Sequence, residues 1–363
     1  MVTDALPAQM TAVLLTGHGG PERLEVRHDV PVPQVAAGEV LVQVAAAGIN
    51  NTDINTRLGW YAKSVTGGTD QSVALPAAAD DDGGWSGAIA FPRIQGADAA
   101  GRIVAVGAGV AAGRVGQRVL IEPCLRRQDA TGILRADYLG SERDGAFAQY
   151  VAVPASHAHG VNSALSDSEL AAVPCAGSTA ANLLTRTAVG AGDRVLVTGA
   201  SGGVGSFAVQ LAHARGAHVV AVAGRDKERE VRALGSREVV PRGESVLAAL
   251  GPDSIDVVID VVGGAAWPEL LDVLRPGGRY GVSGAIAGPM VGLDLRTLYL
   301  KDLALHGCTV LGEGVFAGLM TAVESGAVRP VVAETFPLAE IRRAQEVFQA
   351  KGFVGKLVLI PPR

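Results

Sequence analysis

Three cysteines in 363 residues, Cys124, Cys175 and Cys308, are too few for a disulfide framework or a four-thiolate zinc lobe. No basic block appears, and 31 Lys plus Arg against 36 Asp plus Glu leave a net charge of −5, which argues against a nucleic-acid partner gripped by its phosphates. The opening MVTDALPAQM lacks the basic and apolar regions of a secretory signal. The longest apolar runs, such as 255–262, are far too short to span a bilayer and contain aspartates, so no membrane partner is expected. Internal repeats and low-complexity tracts are absent as well. These absences predict a soluble, cytoplasmic chain, long enough for two domains at roughly 150 residues each.

What is abundant is glycine, 48 residues, clustered at the ends of apolar runs where a chain turns tightly or approaches a ligand. Residues 1–60 read as short strands, at 11–15 and 40–44, punctuated by Pro31, Pro33 and Gly38. Residues 62–92 have no helical or strand period and read as a long loop, functional or disordered. Strands return at 102–106, 118–121 and 148–153, around a second polar loop at 125–145. From 168–189, read as one helix, all-apolar strands (194–198, 218–223, 255–261, 278–283) alternate with helices (203–215, 226–234, 267–274). That alternation predicts a parallel sheet buried on both faces. A helix at 338–349 and a strand at 356–360 close the chain. The expected class is α/β, with a β-rich domain over 1–155, a doubly wound domain over 156–310, and 311–363 returning to the first.

The most informative stretch is VLVTGASGGVGSFAVQLA, 195–212. Ala200, Gly202 and Gly205 form a dinucleotide fingerprint with alanine in first place, and Ser201, Gly203 and Val204 complete the loop. A strand precedes it and a helix follows, so Gly202 lets backbone approach a pyrophosphate and Gly205 lets helix and strand pack closely. The next strand, in HVVAVAGRDK (218–227), ends without a carboxylate for a ribose 2′-hydroxyl. Arg225 and Lys227 follow it, and Arg242 comes from the next strand's end. These cations favour a 2′-phosphate, hence NADPH; Asp226 leaves NADH open.

With these motifs goes a wider likeness. AGINNTDINTRLGWY (47–61), IQGADAAGRIVAVG (94–107), VPCAGSTAANLL (173–184) and the glycine loop resemble the medium-chain dehydrogenase/reductase superfamily, within it the zinc-independent quinone oxidoreductase and enoyl reductase branch. The resemblance implies a GroES-like β-rich catalytic domain plus a Rossmann domain. It also implies a homodimer made by edge-to-edge pairing of the cofactor-domain sheets. Thr198, Gly199, Gly203 and Gly205 fit the short-chain dehydrogenase glycine pattern too, but no tyrosine here has a lysine four places later. Zinc enzymes of the superfamily place a Cys and a His where this chain has Asn50 and Ala97, and only Cys175 stands near the third ligand position. One thiol and an amide do not make a catalytic zinc site.

Gly48, Ile49, Asn50, Asp53, Arg57, Gly59 and Tyr61 follow the zinc-free pattern in order. By that likeness Tyr61 is the proton donor to an enolate, Asn50 orients substrate or nicotinamide, and Asp53 either assists or serves as a turn residue. Arg57 is expected to pair with an acid. Thr179, Val262 and Gly284 fall where relatives meet the coenzyme. Lys356 belongs to a stretch that approaches the nicotinamide in relatives, or is a surface lysine. The 62–92 and 125–145 loops are longer than usual for the branch; the first, edged by Tyr61 and Trp85, is either a wall or lid of the substrate pocket or a surface insertion.

The reading is an NADPH-dependent, metal-free reductase of a small-molecule electrophile, a quinone or an α,β-unsaturated carbonyl compound. Its rivals are an alcohol dehydrogenase-like enzyme with a weakened metal site at Cys175, Asp53 or Asp98, and a non-catalytic, crystallin-like NADPH-binding protein.

Overall fold

Strands with one apolar face and strands apolar on both faces need different sheets, and the two largest of the four sheets among the described residues are one of each. The computed structural model describes residues 6–69, 83–128, 131–132 and 134–363. One mixed sheet runs in the order Ala158–Gly160, Arg118–Ile121, Ala100–Val106, Glu39–Gly48, Lys356–Ile360 and Val332–Pro337, with Tyr150–Pro154 also pairing with Glu39–Gly48. Lys356–Ile360, from the far end of the chain, lies antiparallel to Glu39–Gly48, with Val358 opposite Gly48. Val40, Val42, Ile49, Ile103, Phe147 and Leu359 share the core of this GroES-like part.

The second sheet is parallel throughout, ordered Glu238–Pro241, His218–Ala223, Arg194–Val197, Ile255–Asp260, Leu274–Val282, Ala304–Gly307. Counted within that sheet, the order is 3-2-1-4-5-6, the Rossmann arrangement, whose direction reverses beside Arg194–Val197. Its central strands are apolar on both faces, with Val195, Leu196, Val197, Val257 and Val258 fully buried.

Four helices place the site: α1 (Asn51–Leu58), α2 (Asp167–Ala171), α3 (Pro174–Arg186) and α4 (Gly203–Ala214). The all-strand reading of 1–60 fails at α1. This helix has no apolar stripe, because what it buries is mostly polar: Asp53, Asn55, Thr56 and Arg57, with Ile54 alone apolar. Its ends are local chemistry instead. The Asn50 backbone N–H donates to the Asp53 carboxylate at 2.8 Å, and Gly59 closes the helix in the left-handed region at φ 67°. The single helix read over 168–189 is two, because Pro174 has no N–H to continue α2 and begins α3. The 125–145 loop contains a hairpin, Cys124–Gln128 against Leu134–Tyr138, whose charged residues (Arg126, Arg127, Arg135, Asp137) mask its strand character.

Candidate active site

At the switch point the chain makes a cradle. Gly199 turns at φ 58°, and the Ala200 N–H donates to the Val222 carbonyl at 3.1 Å, tying two strand ends together. A Cβ at Gly205 would lie 2.2 Å from the Gly199 carbonyl oxygen, so only glycine lets α4 start this close to the strand. Gly202 caps α4 without any side-chain hydrogen bond, leaving first-turn N–H groups open, and a Cβ there would meet nothing nearer than 3.4 Å. An uncapped twelve-residue helix behind an open glycine turn fits the pyrophosphate of a nicotinamide dinucleotide.

A residue the sequence reading passed over holds the neighbouring loop. Asp260 is fully buried and accepts hydrogen bonds from the Thr198 hydroxyl (2.5 Å), the Tyr280 hydroxyl (2.6 Å) and the N–H groups of Val262 (2.9 Å) and Gly263 (3.2 Å). The Val262 carbonyl in turn accepts from the Ala287 N–H at 2.9 Å, and Gly284 packs against Val261. Val262 and Gly284 therefore sit together beside the glycine loop. At the second strand's end stand Ala223 and Gly224, with the Asp226 carboxylate folded back over Gly224. Arg225 pairs with Glu244, and the Lys227 ammonium donates to the Lys351 carbonyl. The Arg242 N–H donates to the Ala223 carbonyl at 2.7 Å; its exposed guanidinium has no ion-pair partner among the described residues.

Across the cleft, Tyr61 follows α1, its hydroxyl 2.9 Å from the Thr52 hydroxyl. Burial pushes that phenol up to about 12, so it stays protonated at neutral pH. The Tyr138 hydroxyl, from the hairpin, lies 3.7 Å from the Cys175 sulfur, and the Trp85 ring centroid is 5.0 Å from that of Tyr138. Burial likewise raises the Cys175 thiol to about 12, a neutral group rather than a thiolate. The Thr179 hydroxyl donates to the Cys175 carbonyl at 2.8 Å, one turn back along α3. Tyr138 and Thr52 were missed from sequence: one hides in a charged hairpin and the other in an unrecognised helix. Of the 62–92 loop, residues 70–82 lie outside the described residues; at its far end the Ser86 N–H donates to Glu142, just past the hairpin, at 2.9 Å.

Between cradle and cleft lies a buried charge cluster. Lys356 is 2% exposed and Asp98 fully buried. The Lys356 ammonium donates to Asp98 Oδ2 (2.8 Å), to the Ile49 carbonyl (2.7 Å) and to Asn50 Oδ1. Asn50 Nδ2 donates to Asp98 Oδ2 at 2.7 Å, and Asp98 Oδ1 accepts the Cys175 N–H at 2.6 Å. The Asn50 amide is thus engaged internally on both sides. Lys356 is no surface lysine. Asp53 adjoins the cluster, and burial raises its carboxyl to about 7 despite its bond from Asn50. Arg57 donates to Gln345 (2.8 Å) and the Gly19 carbonyl (2.6 Å) instead of pairing with an acid. Among the described residues, no group of three or more His, Cys, Asp or Glu is placed to hold a metal ion.

A parallel 3-2-1-4-5-6 sheet with an open glycine cradle, facing a GroES-like domain across a cleft, defines a nicotinamide-dependent oxidoreductase. Residues 36–163 match the alcohol dehydrogenase GroES-like domain, and 203–325 match the zinc-binding dehydrogenase family. Acryloyl-coenzyme A reductase of Metallosphaera sedula is 31% identical over 361 residues, covering 96% of this chain and 99% of that one. The quinone oxidoreductase of Lama guanicoe is 29% identical, covering 97% of each. The solved structure of a candidate alcohol dehydrogenase from Sinorhizobium meliloti superposes with a TM-score of 0.88 at 45% identity, covering 99% of this chain and 98% of that one. The chain belongs to the medium-chain dehydrogenase/reductase superfamily, in its quinone oxidoreductase and enoyl reductase branch.

Proposed function

We propose that this protein reduces an α,β-unsaturated carbonyl compound or a quinone at the expense of NADPH, without a metal ion. The observation that carries the reading is the buried ammonium of Lys356 among Asn50, Asp98 and Ile49. The position a first zinc ligand would take holds an amide, the second holds Ala97, and only Cys175 stands near the third. That donor set suits a polarised double bond, which needs no Lewis acid, better than an alcohol, which does. The names of the relatives agree with such acceptors.

When bound, the coenzyme would supply the hydride needed at the β-carbon or quinone ring. The protein holds the pyrophosphate on Ala200–Gly205, keeps the cleft closed to water with Trp85 and Tyr138, and gives the Tyr61 proton to the oxygen that gains charge. The Thr52 hydroxyl, 2.9 Å away, orients the Tyr61 hydroxyl, and the phenol regains its proton from solvent after product leaves. Arg242, assisted by Lys227, takes the 2′-phosphate at a strand end whose own residues, Ala223 and Gly224, carry no carboxylate, with Asp226 folded back over Gly224, which favours NADPH.

The working unit is a homodimer. The edge strand Ala304–Gly307 and the neighbouring Met290, Leu295, Tyr299 and Leu300, each more than 60% exposed, form an apolar face that a second copy would cover. Three buried free thiols suit the cytoplasm. A spectrophotometric screen tests the activity: NADPH should be consumed with benzoquinones, enones or enoyl thioesters and more efficiently than NADH. NADPH binding without turnover on any acceptor would leave the non-catalytic reading standing.

A further inference from the structure

An ammonium removed from water costs several kcal/mol unless it is paired and every N–H finds an acceptor. Lys356 meets both conditions, with Asp98, the Ile49 carbonyl and Asn50 as its three acceptors. All of these belong to the GroES-like part, and no N–H is left over for a phosphate or a substrate. The rest of the same residue faces the other way. A Cβ at Gly203, the first residue of α4, would lie 2.8 Å from Lys356 Cδ, so the alkyl stem runs against the glycine loop. The preceding N–H, of Gly355, donates to the Ser201 carbonyl at 2.9 Å. Through Asp98 Oδ1 the cluster reaches the Cys175 N–H at the start of α3, the helix that also carries Thr179. Three pieces of chain that must be held in register for transfer between coenzyme and acceptor therefore converge on Lys356, one on its stem and two on its ion pair with Asp98. They are the glycine loop, the entry to α1 and the entry to α3.

We infer that Lys356 is a positioning residue: its buried ammonium ties the entries of α1 and α3 together through Asn50, Ile49 and Asp98, and so fixes the alkyl stem and the Gly355 N–H that seat the glycine loop, without itself touching coenzyme or acceptor. The inference rests on the functional reading above. Hydride transfer is sensitive to displacements of an ångström or less, so loosening this lock slows transfer while coenzyme affinity, set by the cradle itself, stays.

The test uses the full-length protein. NADPH binding is followed by coenzyme fluorescence, and the transfer step by stopped-flow single turnover with the acceptor that gives the fastest wild-type rate. For Lys356→Met the expected result is an NADPH Kd within about 3-fold of wild type and transfer slower by about 100-fold. In Lys356→Ala, added propylammonium should restore transfer at least about 10-fold and propanol should not, because the missing element is charge at a fixed place. If Lys356→Met does not fold, the Asp98→Asn/Lys356→Met double variant removes both buried charges and should bind NADPH normally with the same slow transfer. The inference is overturned if NADPH affinity falls in step with the rate, if Lys356→Met transfers within about 3-fold of wild type, or if propylammonium restores nothing. A wild-type chain that binds NADPH and reduces no acceptor sinks the functional reading, and this inference with it.

Discussion

Replacing Asp53 by asparagine should change how stability depends on pH. Asp53 is buried beneath α1, its carboxyl raised to about 7 by loss of water, with the Lys356 charge only partly opposing this. In the unfolded chain it titrates near 3.8. Below that pH both states carry the proton and the group contributes nothing. Between the two values the unfolded chain ionises while the folded one keeps its proton, so stability falls as pH rises and levels off above about 7. The loss at neutral pH is at most about 4 kcal/mol. Spread over a 363-residue chain, that is about 5 °C in Tm. Asparagine keeps an acceptor for the Asn50 N–H but cannot ionise. The Tm of Asp53→Asn minus that of wild type, followed by differential scanning fluorimetry from pH 4.5 to 7.5, should therefore climb by several degrees. A flat difference, or wild type gaining on the variant as pH rises, would refute the reasoning.

Tyr61→Phe keeps the ring and removes the proton. It should lower kcat about 100-fold with NADPH affinity unchanged, read from steady-state kinetics beside a binding titration; an unaltered kcat would take Tyr61 out of the chemistry. Arg242→Ala should raise the KM for NADPH about 10-fold or more and leave that for NADH where it was, since it removes a charged contact to the 2′-phosphate alone. Leu300→Glu, placing a charge on the exposed apolar face, should shift the mass seen by light scattering from dimer to monomer, and a dimer that persists would move the interface elsewhere.

Much of the fold was legible because it rests on short-range signals. Apolar runs such as 195–197 and 257–259 have a single use, a strand buried on both faces. The Ala200–Gly205 turn needs its glycines for backbone reasons that do not depend on distant partners. The substrate side was legible only in part. α1 buries polar residues, so its period carries no hydrophobic signal, and its first turn is fixed by a bond between Asn50 and Asp53 that a strand reading overlooks. Lys356 looks like a surface residue or a coenzyme contact until Asp98, 258 positions earlier, is seen to receive it. Asp98 and Asp260 themselves stand among apolar residues with nothing local to mark one as an ion-pair partner and the other as the cap of a loop.

On the proposed function, reduction needs no metal ion: the Tyr61 phenol serves as the acid and the Lys356 ammonium holds the site in place. Protein dialysed against a strong chelator, checked by elemental analysis, and then assayed for NADPH oxidation with its best electrophile measures that most directly. Unchanged turnover with no stoichiometric metal is the predicted result. Zinc retained near one ion per chain, with activity lost on its removal and regained on its return, would contradict it.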